Sequence, residues 1–147
     1  VNLKGPFQMG REVIPHMRAE SFGRIVNIAS VTGKRPLPNR TPYATSKMGI
    51  IGFTRTLAAE LGESNINVNA VCPGSVEGPR ITTVFERQAA ETGQTYEEVR
   101  SDVEAQSARG ELVDREDVAD LVGYLCSEDS ERITGQDINV SAGKVMY

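Results

Sequence analysis

The sequence predicts an α/β fold built on a parallel sheet. Three observations predict it. Short runs rich in Val and Ile, at 25–29, 65–72 and 137–140, alternate with longer stretches of helical periodicity. The first run is apolar apart from Asn27, as a strand covered on both faces requires. Each run then stops at a residue suited to leaving a sheet: Ser30, Pro73-Gly74 and Ser141. Strands separated by helices pair in parallel.

Taken in order, residues 3–19 read as a helix, with Phe7, Val13, Ile14 and Met17 as an imperfect apolar stripe that Pro15 kinks or limits. His16 falls near its end as a surface residue. Ile25–Ala29 is the first strand. Residues 31–40 form a loop broken by Gly33, Pro36 and Pro38. Thr41 is the expected N-cap of the next helix, with Pro42 at its first position. That helix, 43–61, carries Met48, Ile51, Phe53, Leu57, Ala58 and Ala59 and has little polar surface, so it is expected to be buried on more than one side. Asn65–Cys72 is the second strand. The long segment 75–110 contains helical pieces, one opened by a capping box of Thr95 and Glu98. Asp114 and Asp117 cap a helix at 115–126, with Val118, Leu121, Val122 and Leu125 as its core stripe. Gly135 turns the chain into the last strand, Asp137–Val140.

Composition narrows the function. The chain has 147 residues, enough for one domain with a real core, and a net charge of −4. No Lys/Arg cluster stands out, which argues against nucleic acid or an anionic membrane as partner. No apolar run approaches the roughly 20 residues of a membrane span. Cys72 and Cys126 lie far apart in apolar segments and read as two reduced core thiols of a cytoplasmic protein. One histidine and no C-x-x-C leave nothing that resembles a metal site.

The chemistry concentrates between Ser30 and Lys47. Tyr43 and Lys47 stand at i and i+4 on one helix face, and a cation beside a phenol favours the phenolate. Ser30 ends a strand, where ligands bind in α/β sheets. Ser, twelve residues, Tyr, three residues, Lys resembles the active site of the short-chain dehydrogenase/reductase family. N-L-K-G from Asn2, I-V-N-I-A-S, V-N-A-V-C-P-G at 68–74 and I-T-G-Q-D-I-N-V at 133–140 resemble further family marks in the right order.

The resemblance implies the C-terminal part of a doubly wound, Rossmann-type sheet of about three parallel strands, in one partial domain, 1–147. Roughly a hundred residues carrying the first mononucleotide-binding half are expected to precede it. The family's T-G-x-x-x-G-x-G loop does not occur in the sequence. Hydride transfer between NAD or NADP and an alcohol/carbonyl substrate is implied, with both cofactors left open. By resemblance Tyr43 is the general acid/base, Lys47 binds the nicotinamide ribose, Ser30 donates to the substrate oxygen, and Asn2 fixes a water in a proton relay. Pro73, Gly74 and Val76 are the expected cofactor-contacting turn. The segment 77–110 is the expected substrate lid, its charges mostly a solvated helical surface, with Arg80 or Arg87 as contacts for an acidic substrate. Helices 3–19 and 43–61 would make a homodimer or homotetramer. The chain departs from the family at Gly78, where a threonine is usual, at V-S-A-G (140–143) and at Arg115, where proline is common. A non-catalytic subunit-association module and an epimerase acting on nucleotide sugars are the alternatives.

Overall fold

Three parallel strands form one sheet in the computed structural model, which describes residues 2–147. The strands are β1 (Gly23–Ile28), β2 (Ile66–Pro73) and β3 (Asp137–Val140), in the order β1-β2-β3. Gly23 pairs with Ile66 and Ala70 with Asp137, which fixes the register. The helices are α1 (Lys4–Ala19), α2 (Thr41–Leu61), α3 (Pro79–Thr92), α4 (Tyr96–Glu104) and α5 (Arg115–Cys126). The α/β expectation and its strand count hold, with strand ends shifted by one or two residues.

β2 is the centre. Ile66 to Cys72 are all buried, so both faces are covered. Alternation sends Ile66, Val68, Ala70 and Cys72 to the side of α2, where they meet Ile50, Ile51, Leu57, Ala58 and Leu61. Three buried asparagines satisfy backbone or hydroxyl partners. Asn27 donates to Thr54 on α2 at 2.9 Å. Asn67 donates to the carbonyl of Glu131 at 2.8 Å and Asn69 to that of Ile133 at 2.7 Å, pinning the loop before β3. That is why one polar residue is tolerated in β1.

Several expectations need correction. α2 starts at Thr41, and Arg40 precedes it without a side-chain cap; the turn is held instead by Ala44 N–H donating to the Arg40 carbonyl. α1 runs on past Pro15 for four more residues, to Ala19, with the proline inside the helix. Cys126 is exposed while Cys72 is buried. Leu125 takes the inward position of α5, and one residue on is about 100° round the helix. α2 is covered by the sheet, by the turn at 31–33 and by α1, where Gly10 lies against Phe53 and Leu57, while Met48 is half exposed and nothing lies near Gly52. Both expected caps of α4 and α5 are present: Thr95 N–H donates to Glu98, and Asp114 N–H to Asp117.

Two tertiary contacts fix how the layers meet. A 3-10 turn, Val31–Gly33, lies against α2 so closely that a Cβ on Gly33 would stand 2.9 Å from the Lys47 carbonyl carbon and from the Met48 nitrogen. Next to it, the buried Lys34 ammonium reaches the Asp137 carboxylate at 2.7 Å and the Asp137 carbonyl at 2.7 Å, while Arg55 reaches the same carboxylate at 2.6 Å. Burial works against ionisation of Asp137, but the hydrogen bonds and charges of Lys34 and Arg55 outweigh it and hold the carboxyl below its ordinary value. Turn, helix and last strand are thereby tied.

Two outcomes follow. Gly33→Ala forces backbone apart and lowers stability by about 1–3 kcal/mol; an unchanged urea midpoint would show that the turn is free to shift. Because the folded-state value of Asp137 is depressed, its contribution is complete above the unfolded value near 3.8 and lost as pH falls through the folded value. Asp137→Asn leaves the Lys34 ammonium with carbonyl acceptors but no counter-charge and costs about 1–3 kcal/mol at pH 7. Urea titrations should show the variant and the native protein converging as pH drops toward about 2.

Candidate active site

The C-terminal ends of the strands open into a cavity of about 500 Å³. Ser30, Tyr43, Lys47, Pro73, Gly74 and Val76 all line it. Each arrives from a different local rule. Ser30 follows β1 and starts the 3-10 turn, its hydroxyl oxygen accepting the Thr32 N–H at 3.1 Å. The serine is buried, and that hydrogen bond uses an acceptor site, so its own O–H proton is free to point to a ligand oxygen. Tyr43 and Lys47 come from the first two turns of α2. The Lys47 ammonium donates to the Ile28 carbonyl at 2.8 Å and lies 5.7 Å from the centroid of the Tyr43 ring. One of its three donors is therefore anchored and two remain.

The turn after β2 is held rigidly. Gly74 N–H donates to the Val140 carbonyl at 2.8 Å, and a Cβ on Gly74 would come within 3.0 Å of the Ser141 Cα. Glu77 N–H donates to the Val113 carbonyl, and Val113 N–H to the Ser75 carbonyl. These two bonds bypass Val76, whose own N–H and C=O stay available for an amide-bearing ligand. That donor set, two hydroxyls, an ammonium and a backbone amide pair, suits a nicotinamide riboside.

α3 and α4 build the cavity's outer wall. They pack through Phe85, Val99 and Leu112, and Ile81, Val84 and Phe85 also face the cavity. Arg100 of α4 pairs with Glu77 and Glu104, and Glu77's hydrogen bond raises the already high affinity of the guanidinium for its proton. Arg115 Nε donates to the Glu77 carbonyl at 3.0 Å, and its guanidinium covers Gly78, where a Cβ would be 2.9 Å from Nη2. Gly78 has φ of +143°, which only glycine adopts readily. The two departures at 78 and 115 are thus one contact.

Asn2 is not brought to this cavity. It is exposed before α1 and lines a second hollow of about 860 Å³ with Phe7, Phe53 and Tyr43. Arg87 lies away from the cavity and pairs with Glu91 at 3.5 Å, whereas Arg80 lines it. Sequence reasoning missed Arg40 and Lys144, which also line it. Lys144 had a signal: a lone charge among apolar residues in S-A-G-K-V-M. Cys72 is a core thiol, pushed up above all by burial. Among the described residues no group of three or more His, Cys, Asp or Glu gathers around a metal position, and no helix is long and apolar enough to cross a membrane.

Comparison with known proteins places this geometry. A family model described as enoyl-(acyl carrier protein) reductase matches residues 1–144. The chain is 41% identical over 144 residues to the monensin polyketide synthase putative ketoacyl reductase of Streptomyces virginiae, covering 97% of this chain and 55% of that protein. It is 38% identical over 146 residues to the 3-oxoacyl-(acyl-carrier-protein) reductase of Thermotoga maritima, covering 99% and 55%. A crystal structure of a variant actinorhodin polyketide ketoreductase with NADPH superposes with a TM-score of 0.94 at 38% identity, covering all of this chain and 57% of that one. The chain spans about 55% of the length of the curated relatives it matches. Matched from end to end in sequence and in fold, and carrying the Ser-Tyr-Lys spacing in one cavity, the chain belongs to the short-chain dehydrogenase/reductase family.

Proposed function

We propose that the chain carries the catalytic half of an NAD- or NADP-dependent oxidoreductase acting on an alcohol/carbonyl pair. The single observation behind this reading is that one cavity gathers Ser30, Tyr43, Lys47 and the 73–76 turn. When bound, a nicotinamide dinucleotide supplies the hydride to the carbonyl carbon or takes it from the alcohol carbon. Tyr43 gives its phenolic proton to the carbonyl oxygen in reduction and takes the alcohol proton in oxidation. Ser30 donates a hydrogen bond to the same oxygen, where negative charge grows, so the donor is placed before reaction begins. Lys47, fixed through Ile28, holds the ribose hydroxyls with its two remaining donors. Val76 meets the carboxamide. Asn2, in the second hollow that Tyr43 also lines, is the candidate link to bulk water. The segment 77–110 closes the cavity as a lid. The names of the relatives make a β-ketoacyl carbonyl the first substrate class to try.

A homodimer or homotetramer through α1 and α2 is part of the same proposal. Phe7 is 51% exposed and Met48 50%, and the Phe7 and Phe53 rings meet at 6.0 Å beside the second hollow. Large apolar side chains exposed on both helices suit an interface.

Reduction of methyl acetoacetate with NADPH and with NADH tests the chemistry. Tyr43→Phe is expected to lower kcat by about 10²–10⁴ while the circular dichroism spectrum and melting temperature stay put. A rate within about threefold of the native one would sink the acid/base assignment. For the assembly, Phe7→Glu is expected to shift sedimentation from oligomer to monomer; an unmoved boundary would exclude α1 from the interface.

A further inference from the structure

The cavity has a charge balance unlike the rest of the chain. Arg40, Lys47, Arg80 and Lys144 line it, and among the described residues no Asp or Glu does. The chain as a whole holds 20 acidic against 16 basic residues. Six cations elsewhere, Lys34, Arg55, Arg87, Arg100, Arg109 and Arg132, have a carboxylate partner. None of the four cavity cations has one among the described residues. Lys47 is accounted for by the Ile28 carbonyl and the role given above. Arg40, Arg80 and Lys144 are not.

These three reach the cavity from separate elements: the entry to α2, the first turn of α3 and the segment after β3. Lys144 is the most informative. It is half-buried, and its nearest polar side-chain partner is the neutral Ser75 hydroxyl, at 3.4 Å. Burial first, and then the like charge of Arg35, push its ammonium below the usual lysine range. A half-buried charge facing only a hydroxyl and another cation is costly until a counter-charge arrives. Ser75 follows Pro73-Gly74, so Lys144 stands at the edge of the turn that borders the reacting groups. The opposite wall, with Ile81, Val84 and Phe85, is apolar. A ligand that fits both sides has a short apolar or carbonyl-bearing body and an anionic end.

We propose that this cavity selects an anionic substrate, one whose carboxylate or phosphate is held by Lys144, with Arg40 and Arg80 as further cationic contacts. The inference rests on the preceding functional reading only in taking this cavity as the place of the substrate. Lys144 is then a specificity-determining residue, binding the substrate end that does not react. The bound anion satisfies the ammonium, and a neutral analogue of equal size leaves it unpaired, which is the strongest form of discrimination a polar site offers.

Binding measured without turnover tests this. Acetoacetate is titrated against methyl acetoacetate, and dihydroxyacetone phosphate against dihydroxyacetone, into the nitrogen-15-labelled protein by NMR. At least one anion is expected to bind about tenfold or more tightly than its neutral partner, and which one does separates carboxylate from phosphate. Lys144→Met should remove most of that preference and leave the neutral Kd within about twofold, while Lys144→Arg should retain it. Arg80→Gln, at an exposed position, should weaken the anion about threefold. Equal binding of charged and neutral partners by the native protein overturns the proposal. So does a preference that survives Lys144→Met, or a loss of NADPH affinity in that variant with the probes unaffected, which would assign the cations to the dinucleotide's phosphates. The reductase reading fails separately: Tyr43→Phe should keep the anion preference, and a preference with no turnover in the native protein sinks that reading alone.

Discussion

The structure depends on how closely the 31–33 turn lies against α2. Ser30 leaves β1 on one side of that contact, and Tyr43 and Lys47 leave the helix on the other. Their separation is set by backbone packed on backbone at Gly33, where a neighbouring side chain could not be moved aside to make room. Lys34, the next residue, secures the turn to Asp137 at the start of β3. The strand end, the helix start and the last strand are therefore held by adjacent residues of one short loop. A reactive serine and tyrosine on separate elements need such a fixed seam, because catalytic groups gain little unless their distance is set in advance.

Much of this was legible in the sequence. Ser30, Tyr43 and Lys47 are separated along the chain by fixed intervals, and a helix converts the Tyr43–Lys47 interval into a shared face. The strands were legible as short Val- and Ile-rich runs between helical stretches, although only β2 is buried throughout while β1 and β3 are largely half-buried, and Asn27 could be read as an exception without knowing its partner. What was hidden depends on contacts between residues remote in sequence. Gly33 read only as a loop breaker, since its need for a missing side chain arises from Lys47 and Met48 across the contact. Lys34 and Asp137 are over a hundred residues apart, and no periodicity connects them. Lys144 joins Ser75 for the same reason. Cys126 was misplaced because an apolar segment does not say which face of a helix turns inward. Asn2 was assigned by resemblance and lines the second hollow, which shares Tyr43 with the cavity that holds Lys47.

The wall formed by α3 and α4 has its own small core and a single charged anchor. Phe85, Val99 and Leu112 hold the two helices together, while Glu77 is gripped at its N–H by Val113, at its carbonyl by Arg115 and at its carboxylate by Arg100. The wall is thus internally cohesive, and Glu77 is where it joins the sheet. Gly78, in a conformation that bulky residues avoid, sits beside that anchor and lets the Arg115 guanidinium lie over the backbone. A substitution at either position disturbs the other.

Tyr43 faces two hollows, the cavity with Ser30 and Lys47 on one side and the aromatic hollow with Phe7 and Phe53 on the other. A single residue is common to both. Whatever fills the aromatic hollow touches the same residue that lines the ligand cavity. Two occupants that touch one side chain share its free energy, and thermodynamic linkage makes any effect between them reciprocal. Occupation of an outer surface is in this way written into the affinity of an inner one, through one residue and without a change of fold.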